Sequence, residues 1–384
     1  MAATMIEQRP IVVQSPAALT VLLTGDMVLD VPDADHWLSG IAPALRAADL
    51  AIAHLEVPHT RRGAELAGDV PAPGADPDHL DALARAGVGL VSMAGNHIAD
   101  CGAEGIADTL QRLDALGIGH AGAGADLAAA SRPACLERRG RRVILLSYNC
   151  VGPEAAWADQ ARAGCNYLRI ESSDGRPVAP AVPLVAPSGE ALDRLRADIT
   201  AVRRDADLLV VALHKGIVHT PAVLAPYERP LAEAALDAGA DVVVGHHAHI
   251  LRGVELRRGR PLFHGLGNGC VVTRALSPAQ DHPARAAWAR KRREMFGFEP
   301  DPRYELAPFH PEAVHAVLGV VRIEADGRMR MGVIPVHVEP PGRPVCVDDV
   351  RADQVIAYLD RIGAMAGLPA RRWQREGQWL WWCT

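Results

Sequence analysis

The sequence predicts a layered α/β fold, and three observations carry that prediction. Short runs rich in Val, Ile and Leu recur along the chain and alternate with Ala/Leu/Arg-rich stretches of helical spacing. The strand-like runs are continuously apolar, the pattern of strands covered on both faces, so helices are expected on both sheet faces. Composition agrees, because 49% hydrophobic and 22% charged residues over 384 positions suit a globular chain with a large core.

Taken in order, residues 19–23 read as a buried strand closed by Thr24-Gly25-Asp26. A helix near 38–48 leads to a strand at 50–53 that ends in His54-Leu55-Glu56. Residues 78–86 read as a helix with Pro77 near its start, and 90–93 as a strand running into Ala94-Gly95-Asn96-His97. A helix at 105–116 and a strand at 143–147 follow. The second half repeats the alternation: helix 191–204, strand 208–213 ending at His214-Lys215-Gly216, then helix 228–238. A strand at 242–244 enters Gly245-His246-His247-Ala248-His249, and 261–264 leads into Gly265-Leu266-Gly267-Asn268. Residues 316–323 and 329–335 form an expected hairpin around Ala325-Asp326-Gly327, an antiparallel element late in the chain.

Two long Pro- and Gly-bearing insertions, 151–187 and 276–311, lie next to strand ends, where loops shape binding sites or simply pack on the surface. The expected division is a domain over 18–340 and a segment over 341–384, a C-terminal helix and a Trp-rich tail packing on that domain.

Several function classes are excluded. A net charge of −6 with no dominant basic stripe argues against a nucleic-acid partner. No apolar run approaches the ~20 residues that span a bilayer, so no membrane role is expected. The first twenty residues lack the pattern of a secretory signal. Seven scattered cysteines without a CxxC pair read as reduced thiols, and the expected location is cytoplasmic. Oligomeric state has no readable signal.

The chemical signal is positional. Histidines 54, 97, 214, 246, 247, 249 and 264 lie at the carboxyl ends of expected strands, as do Asp26, Glu56, Asn96 and Asn268. Ligands of open α/β sheets bind beyond those strand ends, so side chains distant in sequence converge on one edge. Imidazoles, carboxylates and an amide oxygen without thiolate are a ligand set for Mn, Fe or Zn.

These motifs resemble a family. Thr24-Gly25-Asp26, Leu55-Glu56, Gly95-Asn96-His97 with Asp100, His214-x-Gly216, Gly245-His246-x-x-His249 and Leu266-Gly267-Asn268 stand in the order of the CapA (poly-γ-glutamate capsule biosynthesis) family. That family is similar in fold and motifs to the calcineurin-like metallophosphoesterases. The resemblance implies an α/β/β/α sandwich with mixed sheets and helices on the outer faces, binding one or two divalent cations. It implies that Asp26 and His249 hold the first metal, that Glu56 bridges, and that Asn96, His214 and His246 complete a second site. His247 stays open as an alternative to His246. The Asp-x-His opening of the metallophosphoesterases is absent, since Asp26-Met27-Val28 has no histidine, and His54 could restore that ligand.

By the same resemblance His97 is a non-ligand acid/base and Asp100 its orienting partner or a helix cap, while His264 and Asn268 line the site. Lys215 replaces a usual Trp and, as a point charge, suits an anionic group on the substrate. His219, before Thr220-Pro221, stands where the family often has an acidic pair and joins the candidate substrate contacts. The activity implied is hydrolysis of a phosphoester or of an amide or peptide (glutamyl-type) bond in a small-molecule or oligomeric anionic substrate. The alternative is a non-catalytic metal- or polymer-binding accessory protein of capsule-like biosynthesis.

Overall fold

The computed structural model describes residues 17–64, 66, 74–179, 182–277 and 281–383, the side chains of 292 and 293 apart. Residues 1–16, most of the stretch read for a signal pattern, lie outside the described residues, as do 180–181 and 278–280 of the insertions and Thr384 of the tail.

Alternation along the strands builds two stacked sheets. The strand Leu19–Asp30 sits within a ten-stranded sheet, followed in parallel by Leu50–Leu55 and Val88–Ser92. On its other side His315–Ile323 and Met329–Glu339 run antiparallel, as the expected late hairpin. A six-stranded sheet has Arg141–Asn149, Leu208–His214 and Val242–His246 as its parallel centre. Successive side chains of a strand point to opposite faces. Leu19, Val21 and Leu23 accordingly meet Val210, Ala212 and Val244 between the sheets. Leu209, Val211 and Leu213 face outward onto Leu195 and Leu231 of the helices Gly189–Arg203 and Glu228–Ala238. On the far side Leu22, Ala51 and Ala53 pack with Leu45 and Leu113 of the helices Ala42–Ala47 and Gly102–Ala115.

The product is four layers, α/β/β/α with mixed sheets. It corrects the expectation of helices on both faces of a sheet: each sheet has helices on one face and the other sheet on the second. A continuous apolar run reports burial on both faces and is silent on what does the burying. Each fully buried Leu or Val contributes about 1.5–3 kcal/mol, so the four layers are held chiefly by these side chains.

The first strand does not end at Thr24-Gly25-Asp26; it changes partner there. Residues Leu19 to Leu23 pair antiparallel with Ile323 to Gly319, and Asp26 to Asp30 pair parallel with Asn268 to Thr273. Asp26 donates its N–H to the Gly267 carbonyl at 3.3 Å, and a Cβ on Gly25 would overlap that same carbonyl. Gly25 and the Leu266-Gly267-Asn268 segment are therefore two halves of one close backbone contact.

The helix Val350–Met365, capped by Asp349, sends Val355 and Leu359 into the inter-sheet core. The hairpin of Arg372–Glu376 and Trp379–Cys383 extends the ten-stranded sheet through Gly332 and Trp381. No described helix is long and apolar enough to cross a membrane.

Candidate functional site

Three strands of the two sheets deliver a stack of imidazoles to one edge. His54 is the penultimate residue of Leu50–Leu55, while His214 ends Leu208–His214 and His246 ends Val242–His246. The His54 ring lies 4.8 Å from that of His214 and 4.4 Å from that of His246. Ser92 Oγ, 2.8 Å from His54 Nδ1, orients the ring so that Nε2 stands 3.9 Å from Asp26 Oδ1. Asn96 Oδ1 and His247 Nδ1 both approach His214 Nε2, at 2.7 and 3.1 Å. Gly95 makes this crowding possible, because a Cβ there would stand 3.3 Å from His54 Nε2 and 3.5 Å from His214 Nδ1.

A second group carries the charge. His249 Nε2 lies 3.1 Å from Glu56 Oε1 in a buried ion pair, and its Nδ1 lies 3.0 Å from Asn268 Oδ1. Asp26 Oδ1 accepts the His247 backbone N–H at 3.1 Å, which anchors that residue at a φ of 88°. Burial, and then the Glu56 charge, push the Asp26 carboxyl up. Burial would push Glu56 up as well, but the neighbouring His249 imidazolium pulls it down. Burial opposes protonation of His249, yet Glu56 raises it above the ordinary histidine range. His54 and His214 are held well below that range, first by burial and then by the surrounding imidazoles. Neutral histidines keep a lone pair for a ligand.

His97 and Asp100 form a separate dyad. His97 Nδ1 lies 2.7 Å from Asp100 Oδ2, with Asp100 nearly fully buried and His97 on a cleft wall. That bond fixes the Nδ1–H tautomer and makes Nε2 the nitrogen that exchanges a proton.

The structure corrects four of the expected contacts. Lys215 does not reach the cleft: its Nζ is buried against Glu228 Oε2 at 2.6 Å, on the opposite side of the chain from His214. His264 is buried too, with Nε2 2.8 Å from Glu255 Oε1. Asn268 touches His249 rather than the cleft, so it orients an imidazole. His246 turns its Nε2 toward the Thr24 carbonyl at 3.2 Å and stands behind His54, whereas His247 faces the cleft and His214. Of the histidine pair left open, His247 occupies the ligand-like position. His219, at a φ of 55°, does line the cleft, between His249 and the rings of Phe296 and Phe309.

The cleft has a volume of about 670 Å³. Glu56, Asn96, His97, His247 and His249 form its polar end. Both insertions supply walls, Val182 and Leu184 from the first and Trp288 and Phe296 from the second. No sequence signal pairs these two segments; only the fold brings them together.

The donor set suits a divalent cation. Ligand atoms of Asp26, His54 and His214 all lie within 4.8 Å of one another. Nε2 of His54, Nδ1 of His214 and Oε2 of Glu56 are buried without a hydrogen-bond partner. A buried polar atom left so costs about 1–3 kcal/mol, which coordination would offset. Nitrogen and carboxylate donors without thiolate match Mn, Fe or Zn.

Comparison with known proteins agrees with the motifs. A protein of Mycobacterium tuberculosis named "probable polyglutamine synthesis accessory protein" is 34% identical over 196 residues, which is 50% of this chain and 47% of that protein. The chain thus spans about half the length of that relative. The capsule biosynthesis protein CapA of Bacillus anthracis is 24% identical over 261 residues, 65% of this chain and 59% of that one. Among solved structures, a calcineurin-like phosphoesterase of Bacillus subtilis covers 90% of this chain and 99% of its own, with a TM-score of 0.35 and 12% identity. Residues 20–271, which include every candidate ligand and the His97–Asp100 dyad, match the family described as bacterial capsule synthesis protein PGA_cap. The chain belongs to that family.

Proposed function

We propose that this protein is a metal-dependent hydrolase acting on a phosphoester or an amide bond. The observation that carries the reading is the His97–Asp100 dyad, set on the cleft beside unsatisfied buried ligand atoms. A dyad of this kind adds nothing to metal affinity and has the geometry of general acid–base catalysis.

Asp26, His54, Glu56, Asn96, His214, His247 and His249 would hold one or two divalent cations, and such ions polarise the scissile group and lower the pKa of water. The chain's own residues do the rest. Ser92 and Asn268 orient His54 and His249 from behind, as outer partners of ligands commonly do. The Nδ1–H of His97 is held by Asp100, whose carboxylate stabilises the imidazolium. His97 then delivers the Nε2 proton to the departing oxygen or nitrogen as water adds to phosphorus or to the carbonyl carbon.

The test joins metal analysis with one substitution. Protein loaded with Mn, Fe or Zn should retain between one and two equivalents per chain by elemental analysis. The His97→Ala variant should keep that metal while its turnover of phosphoester or glutamyl-amide substrates falls ~10²–10⁴-fold. Unchanged turnover would remove the acid–base role, and no retained metal under any loading would remove the hydrolase reading. A second reading, a non-catalytic accessory protein of polymer synthesis, draws support from the name of the Mycobacterium relative. It predicts bound metal with no turnover at all.

A further inference from the structure

The cleft beyond the polar end is made for an apolar group. Its walls are aliphatic and aromatic, with Val28, Leu184, Trp288, Phe296 and Phe309 among them. Among the described residues that line it there is no lysine or arginine, and the charged groups are the carboxylates of Asp30 and Glu56 and the His249 imidazolium already paired with Glu56. Lys215, the cation nearest in sequence to the candidate ligands, is spent on Glu228. An anionic polymer laid along these walls would lose its hydration and meet no counter-charge, which is costly.

The rim points the same way. Six large hydrophobic residues among those described are exposed, and three of them, Val185, Ile217 and Met295, belong to this cleft. Isolated exposed apolar residues are ordinary, but a group of them around a concave mouth marks a binding surface. The three come from separate segments: the first insertion, the loop after His214, and the helix Pro283–Phe296 of the second insertion.

We propose that the ligand of this cleft carries a compact apolar group, aromatic or branched aliphatic, attached directly to the bond presented to the polar end. This deepens the hydrolase reading and rests on it for the word substrate: the products would be an apolar alcohol or amine, protonated as it leaves, and a phosphate or carboxylate. The volume of about 670 Å³ accommodates a naphthyl-sized group with room for the reacting centre.

The experiment has two independent readouts on the metal-loaded full chain. In the first, hydrolysis of 2-naphthylmethyl phosphate is compared with that of methyl phosphate, and γ-glutamyl-(2-naphthylmethyl)amide with γ-glutamylmethylamide, pairs whose leaving groups are both alkyl alcohols or both alkylamines. In the second, binding of the neutral naphthalene dye prodan is followed by the blue shift of its emission, with no turnover required. The variants are Ile217→Asp and Met295→Asp, at side chains 41% and 49% exposed, so that the fold tolerates the charge.

The expected result is a preference above about tenfold in kcat/KM for the naphthyl member of whichever pair is cleaved, with that ratio reduced in both variants. Prodan should bind the wild type and bind each variant at least about tenfold more weakly. Equal hydrolysis of both members, or equal prodan binding by wild type and variants, overturns the apolar inference and leaves the hydrolase reading in place. Dye binding lost in the variants while none of the four compounds is cleaved does the reverse. Neither binding nor hydrolysis overturns both.

Discussion

Two buried polar clusters lie on opposite sides of the His214-Lys215 step, and they differ in how their charges are met. Behind the sheet edge, Glu228 receives Lys215 at 2.6 Å and Arg252 at 3.3 Å, and accepts the Ala225 N–H at 2.7 Å. In front, the His54, His214 and Glu56 atoms noted above have no hydrogen-bond partner. The rear cluster meets its carboxylate with two cations, with Arg252 Nε left without a partner, and acts as scaffold, tying the loop after His214 to the helix Glu228–Ala238. The front cluster is incomplete as it stands and is stabilised by whatever binds it. Buried polarity alone does not mark a site; several unsatisfied ligand atoms converging on one point do.

The comparison can be broken by stability measurements on both sides. Replacing Glu228 with Ala strands two buried cations and should cost about 3–5 kcal/mol, read as a lower urea midpoint. Glu56→Gln keeps the volume and removes only the charge. It breaks the His249 ion pair, but an imidazole, unlike the Lys215 and Arg252 cations, sheds its proton readily, so the metal-free midpoint should fall by only about 1–3 kcal/mol while bound metal falls clearly. Equal losses from the two substitutions would show that both clusters are scaffold.

Acid titration tests the rear cluster through one group. Burial would raise the Glu228 carboxyl, but Lys215 and then Arg252 lower it from 4.5 to about 2. A carboxyl held low in the folded state stabilises fully above its unfolded value and loses that contribution as pH falls. The rear cluster should thus stabilise fully above about pH 4.5 and progressively less toward pH 2. Denaturation midpoints of the wild type should drop across that window, and the Glu228→Gln variant should show a shallower drop. Parallel curves would mean that Glu228 is not held low by its cations.

Much of this was legible in the sequence, and the failures have physical reasons. The strand-end positions of His54, Asn96 and His214 followed from apolar runs that stop at a polar residue. The family resemblance added their grouping. Lys215 was misplaced because its neighbour His214 drew it toward the site. Alternation along a strand sends the next side chain to the opposite face, here toward Glu228. His246 and His247 could not be separated, since the choice depends on the φ of 88° at His247, a bend that no residue type announces. The apolar cleft was invisible for a different reason: its walls come largely from two insertions, 151–187 and 276–311, which only tertiary packing joins.

The smallest expected effect tests how closely the front cluster is fitted. Gly95 carries no positive φ, so alanine costs it no backbone strain. What alanine adds is a Cβ at 3.3 Å from His54 Nε2 and 3.5 Å from His214 Nδ1, on two of the rings that would hold a cation. Neither ring can retreat freely, because Ser92 holds His54 and Asn96 holds His214. The rings must turn by a few tenths of an ångström, enough to disturb coordination geometry without opening a cavity. Gly95→Ala should therefore leave the urea midpoint of the metal-free protein nearly unchanged and weaken metal binding by roughly tenfold, the lower range for residues that support ligands. Calorimetric titration of the metal-free variant with Mn or Zn measures it. Unaltered affinity would place the cation away from those two rings and shift the centre toward Asp26, Glu56 and His249.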